Sequence, residues 1–336
     1  WFLEPVNVQL KNSGSTGLMQ SYFQWKWRLG ANFDLNLGLH YLYFLLNGRS
    51  SIEPRFGAIW KLAPEQSINI GLGLHSKVEA ISIYMAENTE SGMTTMPNKN
   101  LNLMKSAQAV MGYSRSISKN LFLKLETYYQ YLYDVPIYQG NSYISALNFG
   151  SGYTDELLNN KGTGTNYGIE LTLEKYFSKN YFFMITGSLF DSKYIAGDNI
   201  ERNTIFNSNF VTNLLAGKEF KIGKSKQNVL GINSRIIWKG GNRKIAIDLE
   251  KSILYGTQVD DKNHLYETSL SNYFRTDLGV SYRINRASSA WVVSLDIQNI
   301  TNRANVYYEF YNRSTESIDF EYQLGTIPVI KVKIVF

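Results

Sequence analysis

The chain has 336 residues, 44% of them hydrophobic, and 34 Lys and Arg against 28 Asp and Glu give a net charge of +6. That length admits one large domain or two smaller ones, and the lack of any cysteine excludes a disulfide framework, a thiolate metal site and a Cys nucleophile. Basic residues such as Lys221, Lys224, Lys226, Arg283 and Arg286 are scattered through the chain, which argues against nucleic acid as a partner. No stretch approaches the roughly 20 consecutive apolar residues of a transmembrane helix, and the mean hydropathy is −0.24. A membrane-spanning barrel remains open, because a strand with lipid on one side and a wet lumen on the other averages to near-neutral hydropathy. The 24 Tyr and 18 Phe suit a bilayer interface, where a ring is apolar at one end and hydrated at the other.

The opening Trp1-Phe2-Leu3-Glu4-Pro5 has no basic region followed by an apolar core, so the reading is a cleaved signal or a start within a larger polypeptide. From Ser21 to Phe336, thirteen stretches alternate apolar and polar residues with the period of two expected of strands. The first sets Phe23, Trp25, Trp27 and Leu29 against Gln24, Lys26 and Arg28, and ends at a tight turn over residues 29–32. The second sets Phe33, Leu35, Leu37, Leu39, Tyr41 and Tyr43 against Asp34, Asn36, Gly38 and His40. The third and fourth, carrying Phe56, Ala58, Trp60 and Leu62 and then Ile68, Ile70, Leu72 and Leu74, meet at Ala63-Pro64-Glu65-Gln66.

A long polar segment from Lys77 to about Lys105 follows, then a fifth stretch around Ala107 to Arg115 and a short turn. The sixth alternates Leu121, Leu123, Leu125, Thr127, Tyr129, Tyr131 and Tyr133 with Lys124, Glu126, Tyr128 and Gln130. After a second long segment, Asp134 to Gly162, come the seventh stretch (Tyr167, Ile169, Leu171, Leu173) and the eighth near Phe183 to Phe190. The ninth and tenth, about Phe210 to Phe220 and Val229 to Lys239, flank the basic turn Gly223-Lys224-Ser225-Lys226, and the pattern leaves the outward face of the ninth open. A third long segment, Gly240 to Ser271, precedes the eleventh stretch, with Phe274, Leu278, Val280, Tyr282 and Ile284 opposing Arg275, Asp277, Ser281 and Arg283. The twelfth sets Trp291, Val293, Leu295 and Ile297 against Ser294, Asp296 and Gln298. A fourth long segment reaches Gly325, and the last stretch puts Val332, Ile334 and Phe336 outward with Lys331 and Lys333 inward.

Connections that alternate between very short and very long are the mark of an outer-membrane barrel, with periplasmic turns and extracellular loops. Lipid cannot satisfy backbone N–H and C=O groups, so a spanning sheet must close on itself. Thirteen strands leave two unpaired edges, and the expectation is that further strands come from elsewhere. The predicted fold class is therefore all-β, a transmembrane antiparallel β-barrel segment spanning residues 1–336, with outer-membrane lipid around it.

Several segments carry a further likeness. Gly240-Gly241-Asn242-Arg243 with Ile247-Asp248, Tyr273-Phe274-Arg275-Thr276-Asp277-Leu278, Leu295-Asp296-Ile297-Gln298-Asn299-Ile300-Thr301-Asn302, Leu324-Gly325-Thr326-Ile327-Pro328 and the terminal Phe336 resemble, in order and spacing, the carboxy-terminal barrel of TonB-dependent outer-membrane transporters. Glu53-Pro54-Arg55-Phe56-Gly57 and Asn98-Lys99-Asn100-Leu101 are similar to earlier landmarks of that family, while Lys244-Ile245-Ala246 departs from it. The resemblance implies a barrel of about 22 strands around an amino-terminal plug, of which this chain supplies the last thirteen. It also implies active import of a scarce nutrient ligand, with TonB acting through the plug. Plug and first strands are expected from another segment or chain, and an accessory surface lipoprotein is left open.

The three histidines, His40, His75 and His264, sit on two non-adjacent strands and in a loop, which does not favour a metal or haem site. No Gly-x-Ser-x-Gly elbow and no phosphate-binding glycine loop is present, so no catalytic residue, no cofactor and no enzymatic activity is read from the chain. Ligand contacts are expected on the long loops, where Tyr128, Tyr133, Tyr138, Tyr143 and Tyr153 mix with Asn and Ser. Arg275, Asp277, Arg283, Asp296, Lys331 and Lys333 are expected to line a polar lumen wall, and Asn299 and Asn302 to satisfy turn backbone. Tyr129, Tyr131, Trp60 and Trp291 read as interface anchors. Two alternatives stand beside the transporter: a passive porin-like channel, and a secreted soluble β-sandwich in which rows such as Leu121, Leu123 and Leu125 pack on a second sheet.

Overall fold

The computed structural model describes residues 15–90, 93–149, 154–223 and 227–336. The amino-terminal pentapeptide, Tyr153 and Lys224-Ser225-Lys226 lie outside the described residues. Thirteen strands form one sheet: β1 (Leu18–Leu29), β2 (Phe33–Phe44), β3 (Ser50–Ala63), β4 (Gln66–Lys77), β5 (Met104–Ser118), β6 (Leu121–Tyr138), β7 (Leu158–Ser178), β8 (Tyr181–Ile195), β9 (Phe210–Ile222), β10 (Asn228–Lys239), β11 (Tyr273–Asn285), β12 (Ala290–Gln298) and β13 (Ile327–Val335). Each pairs antiparallel with the next in chain order, an uninterrupted meander whose short turns lie at one end and whose long loops lie at the other. A short segment, Glu201–Asn203, pairs on the far end of β8.

Alternation along each strand sorts side chains onto two faces. Register carries the assignment across the sheet: Phe33, Trp60 and Ile68 share the outer face, as Asp34, Ile59 and Asn69 share the inner one. Leu125 on β6 is 40% exposed, and only two-stranded ladders accompany the main sheet among the described residues. That removes the soluble sandwich, which needs a second sheet over the outer rows. The open question at β9 is also resolved. Pairing of Asn213 with Ile237, Leu215 with Arg235 and Glu219 with Gly231 puts the odd-numbered residues inside. Its alternation is weak because Val211 and Leu215 are apolar on the inner face while Thr212 and Lys218 are polar on the outer one; Lys218 lies 5.2 Å from the Phe220 ring.

β1 pairs only with β2, and β13 only with β12, among the described residues. All twelve residues of β1 and eight of the nine of β13 are exposed, and among the described residues both sheet edges present unpaired backbone.

Beyond the strands the long connections are built rather than loose. Helix α1 (Ile81–Tyr84) and residues 101–103 fold back over the inner face, burying Ile83, Tyr84, Leu101 and Leu103 against Leu42, Phe44 and Leu158. Phe44 and Tyr84 meet edge to face at 5.1 Å. Helix α2 (Leu249–Tyr255) starts at Asp248, whose carboxylate accepts the Lys251 N–H at 3.1 Å, and stops at Gly256 with φ +64°. The segment Asp134 to Gly162, read from sequence as loop throughout, instead contributes the last residues of β6 and the first of β7. Pairing survives there across two bulges because Val135 and Ile137 are buried in the loop core and hold the strands together.

Glu79 sits in this loop core outside the strands, 8% exposed and 3.5 Å from Lys77, with its Oε1 buried and making no hydrogen bond. Burial holds its carboxyl above the ordinary 4.5, outweighing the Lys77 ammonium, and pushes the neighbouring Tyr84 phenol up to about 12. A raised folded-state value means that the protonated carboxyl contributes stability fully below pH 4.5, and that this is lost as pH rises through the raised value. Hydrogen-exchange protection of residues 78–86, corrected for intrinsic rates, is expected to be higher at mildly acidic than at alkaline pH, and Glu79→Gln should flatten that dependence.

Candidate functional site

The structure disperses the tyrosines that sequence had grouped as loop contacts. Tyr128 is half-buried on the inner face of β6 over Gly168, where an added Cβ would stand 2.9 Å from its hydroxyl. Tyr133 is on the outer face, its ring 6.2 Å from Tyr131 and 5.8 Å from the Lys105 ammonium. Tyr138 packs against Phe149 at 6.1 Å in the loop core and shares a 2.8 Å hydrogen bond with Thr154. The Tyr143 carbonyl accepts from the Tyr194 hydroxyl at 2.9 Å. Those four do not converge on one surface.

The inward polar residues do share one. Ladders align Gly279 with Asp296 and Val329, Ser281 with Ser294 and Lys331, and Arg283 with Val292 and Lys333, all on the face that carries Arg275 and Asp277. Arg275 forks onto Asp277 with two hydrogen bonds of 2.6 and 2.9 Å, and Asp277 Oδ1 also accepts the Asn299 N–H at 2.9 Å. Asn299 and Asn302, both at positive φ, bond turn backbone: Asn299 Nδ2 donates to Arg303 O at 3.0 Å, and Asn302 Oδ1 accepts Thr326 N–H at 3.1 Å. Asn305 takes both backbone groups of Phe274, at 3.0 and 2.9 Å. This node closes the long-loop end of β11–β13 and borders a groove of about 730 Å³. Arg283 lies far from it, donating to Asn285 at 2.8 Å near the short-turn end.

A second cluster, on β2–β4, was not read from sequence. The β3–β4 ladder stops at Arg55 and Gly73, although β3 stays paired with β2 as far as Ser50 and β4 with β5 as far as Lys77. Glu53 fills the split. It is 2% exposed, accepts the Ser76 N–H at 3.0 Å and the Ser76 hydroxyl, and takes His40 Nδ1 at 2.9 Å and the Arg55 guanidinium at 3.2 Å. A carboxylate can only accept, so His40 donates here from Nδ1. His40 and His75 stand on non-adjacent strands as the sequence says, yet both border one groove of about 820 Å³ on the inner face, with β3 between them. The usable signal was the i, i+2 spacing of Glu53 and Arg55, which puts both on one face of a strand.

Comparison with known proteins gives these features a context. The family described as TonB dependent receptor-like, beta-barrel, matches residues 5–300. The chain belongs to this TonB-dependent receptor β-barrel family. A comparison with curated proteins returns no match. Among solved structures, the ferric yersiniabactin uptake receptor FyuA of Yersinia pestis is similar with a TM-score of 0.66 and 13% identity over 96% of this chain and 46% of its own. The outer membrane transporter YddB of Escherichia coli gives 0.65 and 15% over 97% and 46%. The ferric preacinetobactin receptor BauA of Acinetobacter baumannii gives 0.62 and 15% over 94% and 42%. The chain thus spans less than half the length of these receptors.

In this receptor barrel the family landmarks have mechanical reasons. At Gly240 a Cβ would collide with the Ser208 carbonyl, and at Gly241 with that of Leu270, so two loops pass too close for any side chain. Arg243 then donates to Asn207 O at 3.1 Å, Glu267 O at 2.8 Å and Asn209 Oδ1 at 2.7 Å, joining those loops. Lys244, at the departure from the family pattern, pairs with Glu309 of the Val306–Asn312 ladder.

Removing Glu53 would take a shared acceptor from the half-buried His40 ring, from one N–H of the exposed Arg55 guanidinium and from the Ser76 amide. Glu53→Ala is expected to cost about 1–3 kcal/mol at the β3–β4 seam. Hydrogen exchange of residues 74–77 should accelerate while β10–β12 stays protected.

Proposed function

We propose that this chain is the carboxy-terminal wall of an outer-membrane TonB-dependent transporter, with its short turns in the periplasm and its long loops outside. The observation that carries this reading is the continuous thirteen-strand meander, apolar outside and polar inside, with an edge at each end that is unpaired among the described residues. Strands of another segment complete the barrel, and a plug domain fills it. The transported solute is a scarce nutrient taken up actively, energised by the TonB complex through the plug. The wall and loops act by shape and polarity and not by covalent chemistry. The ferric-siderophore receptors among the similar structures support nutrient uptake as the class of activity.

Orientation is tested by single cysteines, which the chain itself lacks. In whole cells making the full-length protein, a membrane-impermeant maleimide should label Leu254→Cys on α2, and label Lys119→Cys in the β5–β6 turn only after the outer membrane is opened. Reversed labelling, or a steady open conductance of the full-length protein in planar bilayers, would replace the reading with an inverted or porin-like one.

Leu72, outward at mid-strand on β4 and 49% exposed, faces hydrocarbon in this reading. Leu72→Arg is expected to destabilise the barrel by about 2–4 kcal/mol. Urea titration in lipid vesicles checks this, and an inward substitution at Asn69 should cost far less.

A further inference from the structure

We infer that the groove on the inner face of β1–β4 receives a carboxylate or phosphate group, bound by Arg55 beside His75. The groove has a volume of about 820 Å³ and is lined by residues of all four strands. Among its described lining residues one is acidic, Glu53, which is 2% exposed and has both oxygens engaged by His40, Arg55 and Ser76. That carboxylate is therefore unavailable to a cation. What it does is hold two basic side chains in place from behind.

Arg55 gives Glu53 one N–H contact at 3.2 Å, and its side chain is 47% exposed along the groove. A guanidinium has five donors and no acceptor, in a planar fork that fits two oxygens of a carboxylate or phosphate at once. His75 lies alongside: it covers Gly73, the ladder partner of Arg55, so closely that a Cβ there would stand 2.9 Å from its Nε2. Lys77, also on the groove, is engaged by Glu79 at 3.5 Å. The free donors are thus the outer N–H groups of Arg55 and the His75 ring, with the amides of Gln24 and Asn36 across the groove. Among the described lining residues the single acid, Glu53, is already paired with Arg55 and His40.

The inference rests on the proposed function only in treating the inner face as the side that solute or plug occupies. The anion has two sources, a free solute or an acidic side chain of the lumen-filling segment, and the test separates them. Full-length protein carrying 13C-labelled histidine is purified in detergent, and the His40 and His75 signals are assigned from His40→Gln and His75→Gln. Inorganic phosphate and citrate are the probes. For a free anion, both signals shift saturably while that of His264, in the β10–β11 loop, does not. Arg55→Gln should abolish the response, and Arg55→Lys should weaken it by about tenfold through loss of the fork.

For an internal anion, added phosphate has no effect, and the amine of Arg55→Lys is joined by a carbodiimide to a carboxylate outside the described wall that peptide mass spectrometry locates, a crosslink to Glu53 counting as none. The absence of both a saturable shift and a crosslink would overturn the inference. Heat-modifiable migration identifies any variant that fails to fold, and Arg55→Lys carries the test if Arg55→Gln does. Since no transport is measured, failure here leaves the transport reading standing, and failure of transport leaves this binding result standing.

Discussion

A backbone amide that cannot reach water must find its partner inside the protein, and this chain meets that demand by pairing every long strand with its sequence neighbour. Side-chain alternation then divides the wall into a greasy and a polar face with no further instruction. Where the ladders run out, side chains take over the same task. Glu53 accepts the Ser76 amide where β3 and β4 part, Asn305 binds both backbone groups of Phe274, and Asp277 accepts the Asn299 amide. The motifs at the long-loop end thus substitute for a sheet that has stopped.

Residues that frame the wall differ from those that keep donors to spare. Arg243, Asn299, Asn302 and Asn305 are occupied with backbone atoms of their own or neighbouring loops. Gly240 and Gly241 are spacers. Arg55 is different, since its partner fixes it in place without using up its donors.

Much of the architecture was legible because period-two patterning is a direct consequence of strand geometry. The thirteen alternating stretches and the thirteen strands coincide, and the inward set from Arg275 to Lys333 lies on one face. Legibility failed where the contrast between faces failed. β9 carries Val211 and Leu215 inside, so its pattern gave no orientation. Val135 prolongs β6 by pairing with Gly162 and Ile137 by packing against Tyr194 and Ala196, contacts that no local window reports. Leu42 and Phe44 belong to the same class: apolar residues on the inner face, buried by α1 and residues 101–103 of the loop that follows β4. The tyrosines were grouped by composition, and composition does not distinguish a ring facing outward, as at Tyr133, from one locked in a core, as at Tyr138. The pairing of His40 with Glu53 was hidden because adjacency across a sheet depends on register, and register becomes visible only once the turns are built.

Strand length has a last consequence. β6 and β7 run for 18 and 21 residues, whereas β12 and β13 have 9 each. At roughly 3.3 Å per residue, the tallest staves measure about 70 Å along their axis and the lowest about 30 Å. The main sheet therefore reaches farther along the strand direction at β6–β7 than at β12–β13, where the separate Val306–Asn312 and Ser317–Tyr322 ladder continues the connection instead.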